Sequence, residues 1–90
     1  MTTWDESKRA KNLAKHGVDL ALAHRFEHEV ALVEEDVSQA YGEQRFRAIG
    51  PIGDRLFVYV YTLSADGEGD HAISLRRAEP KEARFYARTI

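Results

Sequence analysis

The sequence of 90 residues contains no cysteine, which excludes a disulfide framework and any zinc site built from thiolates. It has two prolines and six glycines, too few for a collagen-like chain or a Pro/Gly-rich disordered segment. The longest apolar run, around Leu56–Leu63, is far below the roughly 18 residues that a membrane-spanning helix needs, and the first residues lack the apolar core of a secretion signal. We therefore expect one cytoplasmic domain over residues 1–90, with a thin core and no membrane contact.

The formal net charge of −2 conceals an uneven distribution of charged residues. Between Asp19 and Glu43, seven carboxylates accompany a single arginine, whereas residues 1–15 carry four basic and two acidic side chains. From Arg76 to the C-terminus, five basic side chains accompany two acidic ones. If the two basic ends meet in space, a cationic groove can form on a slightly acidic protein; the alternative is that each run is only a solvated face.

The residues near the N-terminus predict a helix over Glu6–Lys15. Thr3, three residues before a glutamate, has the spacing of a capping box, and Asp5 is the alternative cap. Gly17 supplies a glycine stop after the last turn. The apolar residues that recur at helical spacing, opposite the lysines and arginine, are Ala10, Leu13 and Ala14.

The remainder of the chain predicts a second short helix, four strands and a closing helix. Asp19 can cap the second helix, and Pro80 suits the first turn of the closing helix, which runs to Arg88. The predicted fold class is α+β, with two N-terminal helices, a four-stranded antiparallel sheet and a C-terminal helix. The strands are expected at Val30–Val33, Arg45–Ile49, Arg55–Leu63 and His71–Arg76.

Arginines are the most informative class of side chain in this sequence. Arg45 and Arg47 share one face of a predicted strand, and Arg76 and Arg77 end the last strand just before the basic closing helix. A guanidinium held on a strand suits phosphate, because it offers two parallel donors in a fixed fork. On the closing helix, the basic residues that line one side are Lys81, Arg84 and Arg88.

Two tyrosines on the strongest predicted strand allow two interpretations. Tyr59 and Tyr61 lie on one strand face, where their rings can stack on single-stranded bases. The alternative is that both rings pack in the core, with their hydroxyls at its rim.

The segment His24–His28 matches the His-x-x-Glu-His pattern of inverted zinc proteases. Such a site needs a third ligand and a substrate cleft, and this segment lies where the second helix should end. The alternative, a polar helix end whose Phe26 packs inward, is our interpretation. We predict no metal site and no cofactor.

Short pieces along nearly the whole chain carry a more specific signature, because they occur in a shared order and spacing. On these pieces the sequence resembles the BrnT family, toxins of bacterial type II toxin–antitoxin pairs. They are Trp4-Asp5-Glu6, Asn12, Lys15-His16-Gly17-Val18, Gly42-Glu43-x-Arg45, Val60-Tyr61-Thr62, Ile73-Ser74-x-Arg76-Arg77-Ala78, Glu82 and Tyr86.

The resemblance implies a fold similar to that of the RelE-type ribonuclease toxins and an RNA-cleaving activity that arrests growth. It also implies a partner, a BrnA-type antitoxin that combines a toxin-wrapping part with a DNA-binding part. The complex is then expected to be a hetero-oligomer that contacts operator DNA only through the antitoxin.

Metal-free cleavage of RNA needs a base for the 2′-OH proton, cations for the dianionic phosphorane and a donor for the leaving oxygen. We assign the phosphate to Arg45 and Arg76. His71 is our proton-transfer group, since an imidazole pKa lies near neutrality, and Glu43 is an alternative base. The simpler role of Lys15-His16-Gly17 is to end the first helix. The residues expected to contact RNA around this site are Arg47, Arg77, Lys81, Arg84, Tyr61 and Lys15.

Two positions depart from the family pattern. Members commonly read Tyr-Thr-Glu-Arg after the third strand and begin the fourth with Arg-Ile-Ile-Ser. This chain has Ser64 and His71 where those two arginines stand. The alternative function is therefore a weakly active or inactive homologue that binds the antitoxin and acts as a co-repressor.

Overall fold

The computed structural model describes residues 1–36, 44–65 and 67–90. The α-helices are α1 (Glu6–His16) and α2 (Pro80–Thr89), and two 3-10 helices span Leu20–Arg25 and His28–Val30. None of these helices is long and apolar enough to span a membrane. The strands, in chain order, are β1 (Thr2–Thr3), β2 (Leu32–Asp36), β3 (Arg45–Ile52), β4 (Arg55–Leu63) and β5 (Asp70–Arg77). They form one sheet in the order β1-β5-β4-β3-β2, in which β1 and β5 are parallel and the other neighbours antiparallel.

The α+β class and the closing helix are confirmed, but the predicted sheet and second helix are partly wrong. The sheet is five-stranded and mixed, because Thr2 and Thr3 pair in parallel with Asp70 and His71. A two-residue strand has no periodicity that a sequence could reveal. The second helix is a six-residue 3-10 helix, although the Asp19 carboxylate caps its first turn as predicted.

Three strands also differ from their predicted limits, and β5 extends one residue beyond the prediction at each end. β2 begins at Leu32 rather than Val30, because Val30 closes the second 3-10 helix. β3 continues to Ile52, so the connection to β4 is only Gly53-Asp54. Gly53 has a φ of 64°, a conformation that side chains with a Cβ rarely adopt. The short turn fixes the register of the β3–β4 pair.

α1 has the predicted ends but not the predicted buried face. The Asp5 carboxylate accepts the Ser7 N–H at 2.9 Å as the N-cap. Gly17, with a φ of 69°, closes the helix by donating its N–H to the Leu13 carbonyl at 2.9 Å. The residue that α1 buries is Asn12. The apolar positions are exposed instead: Ala10, Leu13 and Ala14.

Asn12 fixes α1 against the edge of β5. Its Nδ2 donates to the carbonyl oxygens of Val18 and Leu75, both at 2.8 Å, and its Oδ1 accepts the Leu75 N–H at 3.0 Å. The amide thus gives Leu75 the hydrogen bonds that a neighbouring strand would give. Because Asn12 is only 5% exposed, water cannot readily replace these bonds.

Replacing Asn12 with alanine is expected to lower the free energy of unfolding by about 2–4 kcal/mol, because three backbone groups lose their buried partner. Urea unfolding measures this loss. Leu13→Ala, on the exposed side of the same helix, is the matched control and should change stability by less than about 0.5 kcal/mol. An Asn12→Ala loss no larger than that of the control would contradict the structural role.

The two faces of the sheet differ in polarity. One face packs against the segment between Val18 and Ala31, with Tyr59 and Leu75 fully buried at its centre. Burial, together with the hydrogen bond that the Tyr59 hydroxyl donates to Asp70, raises the pKa of Tyr59. The opposite face carries charged side chains and α2. The core residues are Val18, Leu20, Ala23, Phe26, Ala48, Ile52, Phe57, Tyr59, Tyr61, Ala72 and Leu75.

Candidate functional site

A groove of about 380 Å³ lies between α1 and strands β3 and β5. α1 supplies one wall, and Arg45 at the start of β3 stands opposite with residues from the middle of β5. The position of α1 along the β5 edge, set by Asn12, decides which helical side chains reach the groove. The lining residues are Lys8, Lys11, Asn12, Lys15, His16, Arg45, Ile73 and Ser74.

Three lysines of α1 give this groove its charge. Lys8, Lys11 and Lys15 follow one another at spacings of three and four, which place them on one side of a helix. Arg45 and His16 complete the basic set, and no described carboxylate lines the groove with them. Such a groove attracts anions, and its guanidinium and ammonium donors suit phosphate.

The sequence predicted Lys15 and Arg45 as site residues but missed the other three basic members of the groove, Lys8, Lys11 and His16. For Lys8 and Lys11 a signal was present in their spacing relative to Lys15. What was missing was the orientation of α1, because the apolar positions indicated the wrong face as buried. For His16, its place at the end of the helix suggested only a turn-forming role.

His16 lies half-buried in the groove, and Gly17 provides the helix stop. Burial lowers the pKa of His16, and the positive charges of Lys15 and Arg76 lower it further. The imidazole is therefore neutral at neutral pH. In that form it can accept a proton from a group bound beside the cations.

Arg76 and Arg47 converge on the buried carboxylate of Glu82. Arg76 donates from Nη1 and Nη2 to its two oxygens at 2.8 and 2.9 Å, and Arg47 donates from Nη2 at 3.1 Å. The Glu79 N–H adds a donor at 2.8 Å as part of the capping box that starts α2. These donors, with Arg76 foremost, lower the pKa of Glu82 from 4.5 to about 2, so the group is ionised at neutral pH.

Glu82 therefore determines where two of the predicted arginines point. The charge of Arg76 acts on His16, but its guanidinium fork is turned toward Glu82. Arg47 also points to Glu82 and lies 3.7 Å from a Glu34 oxygen, although it shares a strand face with Arg45. Neither Arg76 nor Arg47 belongs to the groove lining.

His71 lies apart from the groove. Its Nδ1 is 2.7 Å from the Thr3 hydroxyl, and it faces Thr62 across the β4–β5 pair. These three residues line a separate cavity of about 690 Å³. Along β5, His71 precedes Arg76 by roughly 16 Å, at about 3.3 Å per residue. Glu43, the alternative base, lies outside the described residues.

The remaining predicted RNA contacts do not join the groove. Tyr61 is buried and stacks on Tyr59 and Phe46, with ring centroids 4.8 and 5.6 Å apart. Of the two interpretations of Tyr59 and Tyr61, packing of both rings in the core is therefore the one that the structure shows. The other three predicted contacts, Arg77, Lys81 and Arg84, are exposed and lie outside the groove lining.

The zinc-protease pattern does not form one helical turn. His24 lies in the first 3-10 helix and His28 in the second, with the extended residue Phe26 between them. Within residues 1–36, 44–65 and 67–90, no three potential ligands gather as a metal site. His28 instead packs edge-on against Phe26 and Tyr61.

The groove and its supporting network extend from Lys8 to Glu82, and a comparison with known protein families covers the same stretch. A family model described as the ribonuclease toxin BrnT of type II toxin–antitoxin systems matches residues 4–82. The chain belongs to the BrnT family. No curated protein sequence matches it. BrnT membership makes the chain a ribonuclease toxin of a type II system, in which an antitoxin is the partner.

The BrnT match contains every residue of the groove and the carboxylate that holds Arg47 and Arg76. Most of α2 lies beyond it, including Phe85 and Thr89. The basic groove thus lies within the matched residues, whereas most of α2 lies outside them.

Proposed function

We propose that this BrnT-family chain is an endoribonuclease that cleaves RNA without a metal ion and is neutralised by a BrnA-type antitoxin. The observation that carries the proposal is the groove that Lys8, Lys11, Lys15 and Arg45 line together with the neutral His16. RNA has both groups that this groove can act on. Its phosphate can bind the cations, and the adjacent 2′-OH can give its proton to a neutral imidazole.

The proposed reaction begins when His16 takes the proton of the 2′-OH. The 2′ oxygen attacks the adjacent phosphorus, and the bond to the 5′ oxygen breaks. The products are a 2′,3′-cyclic phosphate and a 5′-OH, which receives its proton from a protonated lysine of the groove. Arg45 and Lys15 bind the phosphate, and their hydrogen bonds strengthen as charge develops on the phosphorane. Burial lowers the pKa of His16 most, and the charges of Lys15 and of Arg76, which is held on Glu82, lower it further.

The same proposal includes the cellular behaviour that the BrnT resemblance implies. We expect a structural relation to the RelE-type ribonucleases, a cytoplasmic location and growth arrest when the antitoxin is absent. In the hetero-oligomeric complex, contacts with operator DNA come from the antitoxin.

The test incubates the purified chain with an RNA oligonucleotide in excess EDTA, beside the same sequence made of DNA. We expect cleavage of the RNA only, with 2′,3′-cyclic phosphate ends, since DNA lacks the internal nucleophile. His16→Ala should slow cleavage by about 10²–10⁴-fold. Because the pKa of His16 is lowered, the wild-type rate should fall off only below about pH 6.5. If His71→Ala lowers the cleavage rate more than His16→Ala does, His71 rather than His16 is the proton acceptor.

An inactive homologue that acts as an antitoxin-binding co-repressor is the second candidate function. Ser64 and His71, at the two positions where the resemblance implies arginines, favour it, as does Glu82, which offsets the charges of Arg47 and Arg76. Intact RNA at high protein concentration, together with unhindered growth on expression without antitoxin, would select this function.

A further inference from the structure

A second groove, of about 230 Å³, lies on the sheet face that carries α2. Its floor is apolar, and its volume suits one or two large apolar side chains. Phe85 of α2 and Val33 of β2 stand at its walls, each 49% exposed, which leaves ring and branched surface without cover in the described structure. The lining residues are Leu32, Val33, Glu34, Arg47, Ile49, Phe85 and Thr89.

The strand beside this groove is also the open edge of the sheet. β2 pairs with β3 on one side, and no strand in the described part of the chain pairs with its other side. An edge strand with exposed main-chain groups can accept an extended segment of another protein as a further strand. The β2 edge thus offers main-chain hydrogen bonds directly beside a groove that can hold an apolar side chain of the partner.

The charge along this edge indicates the chemistry of the occupant. Glu34, Glu35 and Asp36 follow one another along β2, so this strand forms an acidic rim beside the groove, which Glu34 also lines. Nucleic acid is repelled by such a rim, and a second copy of the chain would bring two acidic edges together. A segment with lysine or arginine beside its apolar side chains is complementary to it.

We propose that this groove and the β2 edge bind an extended segment of the antitoxin, in which an aromatic or large aliphatic side chain is flanked by basic residues. The apolar side chain fills the space beside Phe85 and Val33, and the basic side chains face the acidic rim. The inference rests on the antitoxin pairing in the proposed function. The occupied groove shares Arg47 with the Glu82 network, so the antitoxin segment lies beside the support of the RNA groove rather than in it.

The experiment titrates the purified antitoxin encoded beside the toxin gene into the purified chain and measures affinity by calorimetry. Phe85→Glu should weaken binding by at least about thirtyfold, as expected for a central apolar anchor. Leu13→Glu, which places the same charge on a comparably exposed residue of α1, is the matched control and should change affinity less than about threefold. Val33→Glu tests the opposite wall should Phe85→Glu fail to fold.

A second arm tests the charged rim. Glu35→Lys should slow association and reduce its salt dependence, whereas Asp54→Lys, in the β3–β4 turn, should not. Wild-type affinity in both Phe85→Glu and Val33→Glu overturns the docking surface. A concentration-dependent dimer of the chain alone that Phe85→Glu abolishes also overturns it, in favour of self-association. Binding and RNA cleavage are measured separately, so a chain that binds antitoxin as expected but leaves RNA intact rejects only the ribonuclease proposal.

Discussion

Replacing Arg45 with alanine is expected to reduce the rate of RNA cleavage by about 10²–10³-fold, the usual cost of removing one donor to developing negative charge. Arg45 lies opposite the α1 lysines in the groove that contains His16. Its fork can donate two hydrogen bonds to one phosphate, and these bonds strengthen as the phosphorane forms. The loss should therefore appear mainly in kcat rather than in KM.

The measurement uses single-turnover cleavage of a defined RNA in excess EDTA. Arg45→Lys should recover part of the rate, because it keeps the charge but loses the fork. Arg55→Ala is the control, since Arg55 is exposed at the start of β4, outside the groove lining. Equal rates for Arg45→Ala and Arg55→Ala would remove Arg45 from the site.

Replacing Glu82 with glutamine is expected to cost about 3 kcal/mol of folding free energy at neutral pH, because the pKa of Glu82 is lowered from 4.5 to about 2 in the fold. The carboxylate is nearly buried and binds both Arg76 and Arg47, so its removal takes away the nearest counter-charge of two guanidinium groups. Cleavage should fall as well, since Arg76 loses the contact that positions it near His16.

The pH dependence provides the more specific measurement. A carboxyl group with a lowered pKa contributes its full stability above its unfolded-state pKa of 4.5 and loses it as the pH falls toward about 2. Urea unfolding of the wild type between pH 6 and pH 2.5 should show this loss. Glu82→Gln should lose less stability over the same range, because only other carboxyl groups with a lowered pKa, such as Asp19, still contribute. Glu35→Gln, at an exposed carboxyl group, should retain the wild-type profile. Parallel profiles for the wild type and Glu82→Gln would show that Glu82 contributes no ionic stabilisation.

Helix ends and strands that depend on residues close together in the sequence were predicted well. Asp5 and Gly17 bound α1, Pro80 opens α2, and the apolar run of β4 matches its predicted limits. β1 could not be predicted from the sequence, because its two threonines form a strand only by pairing with β5, almost seventy residues away.

The site was less predictable, because it depends on which strands and helices face one another. Asn12 shows the difficulty. The apolar residues of α1 indicate one face as buried, but the helix buries the face with the polar Asn12 instead, and this orientation places the lysines in the groove. In the sequence, Glu82 stands out only as part of a family pattern, since a glutamate in the first turn of a helix is ordinarily explained by capping. His71 faces Thr3 because of the unforeseen strand β1.

The two edges of the sheet are unlike in a way that limits assembly. On the β5 side, the short strand β1 and the Asn12 amide already occupy main-chain groups that another strand would need. On the β2 side, the described residues leave the edge accessible. A partner strand of ordinary length can therefore pair along β2, whereas β1, the outermost strand on the other side, offers only two residues for pairing. The asymmetry favours a closed complex of fixed stoichiometry over an open, growing array.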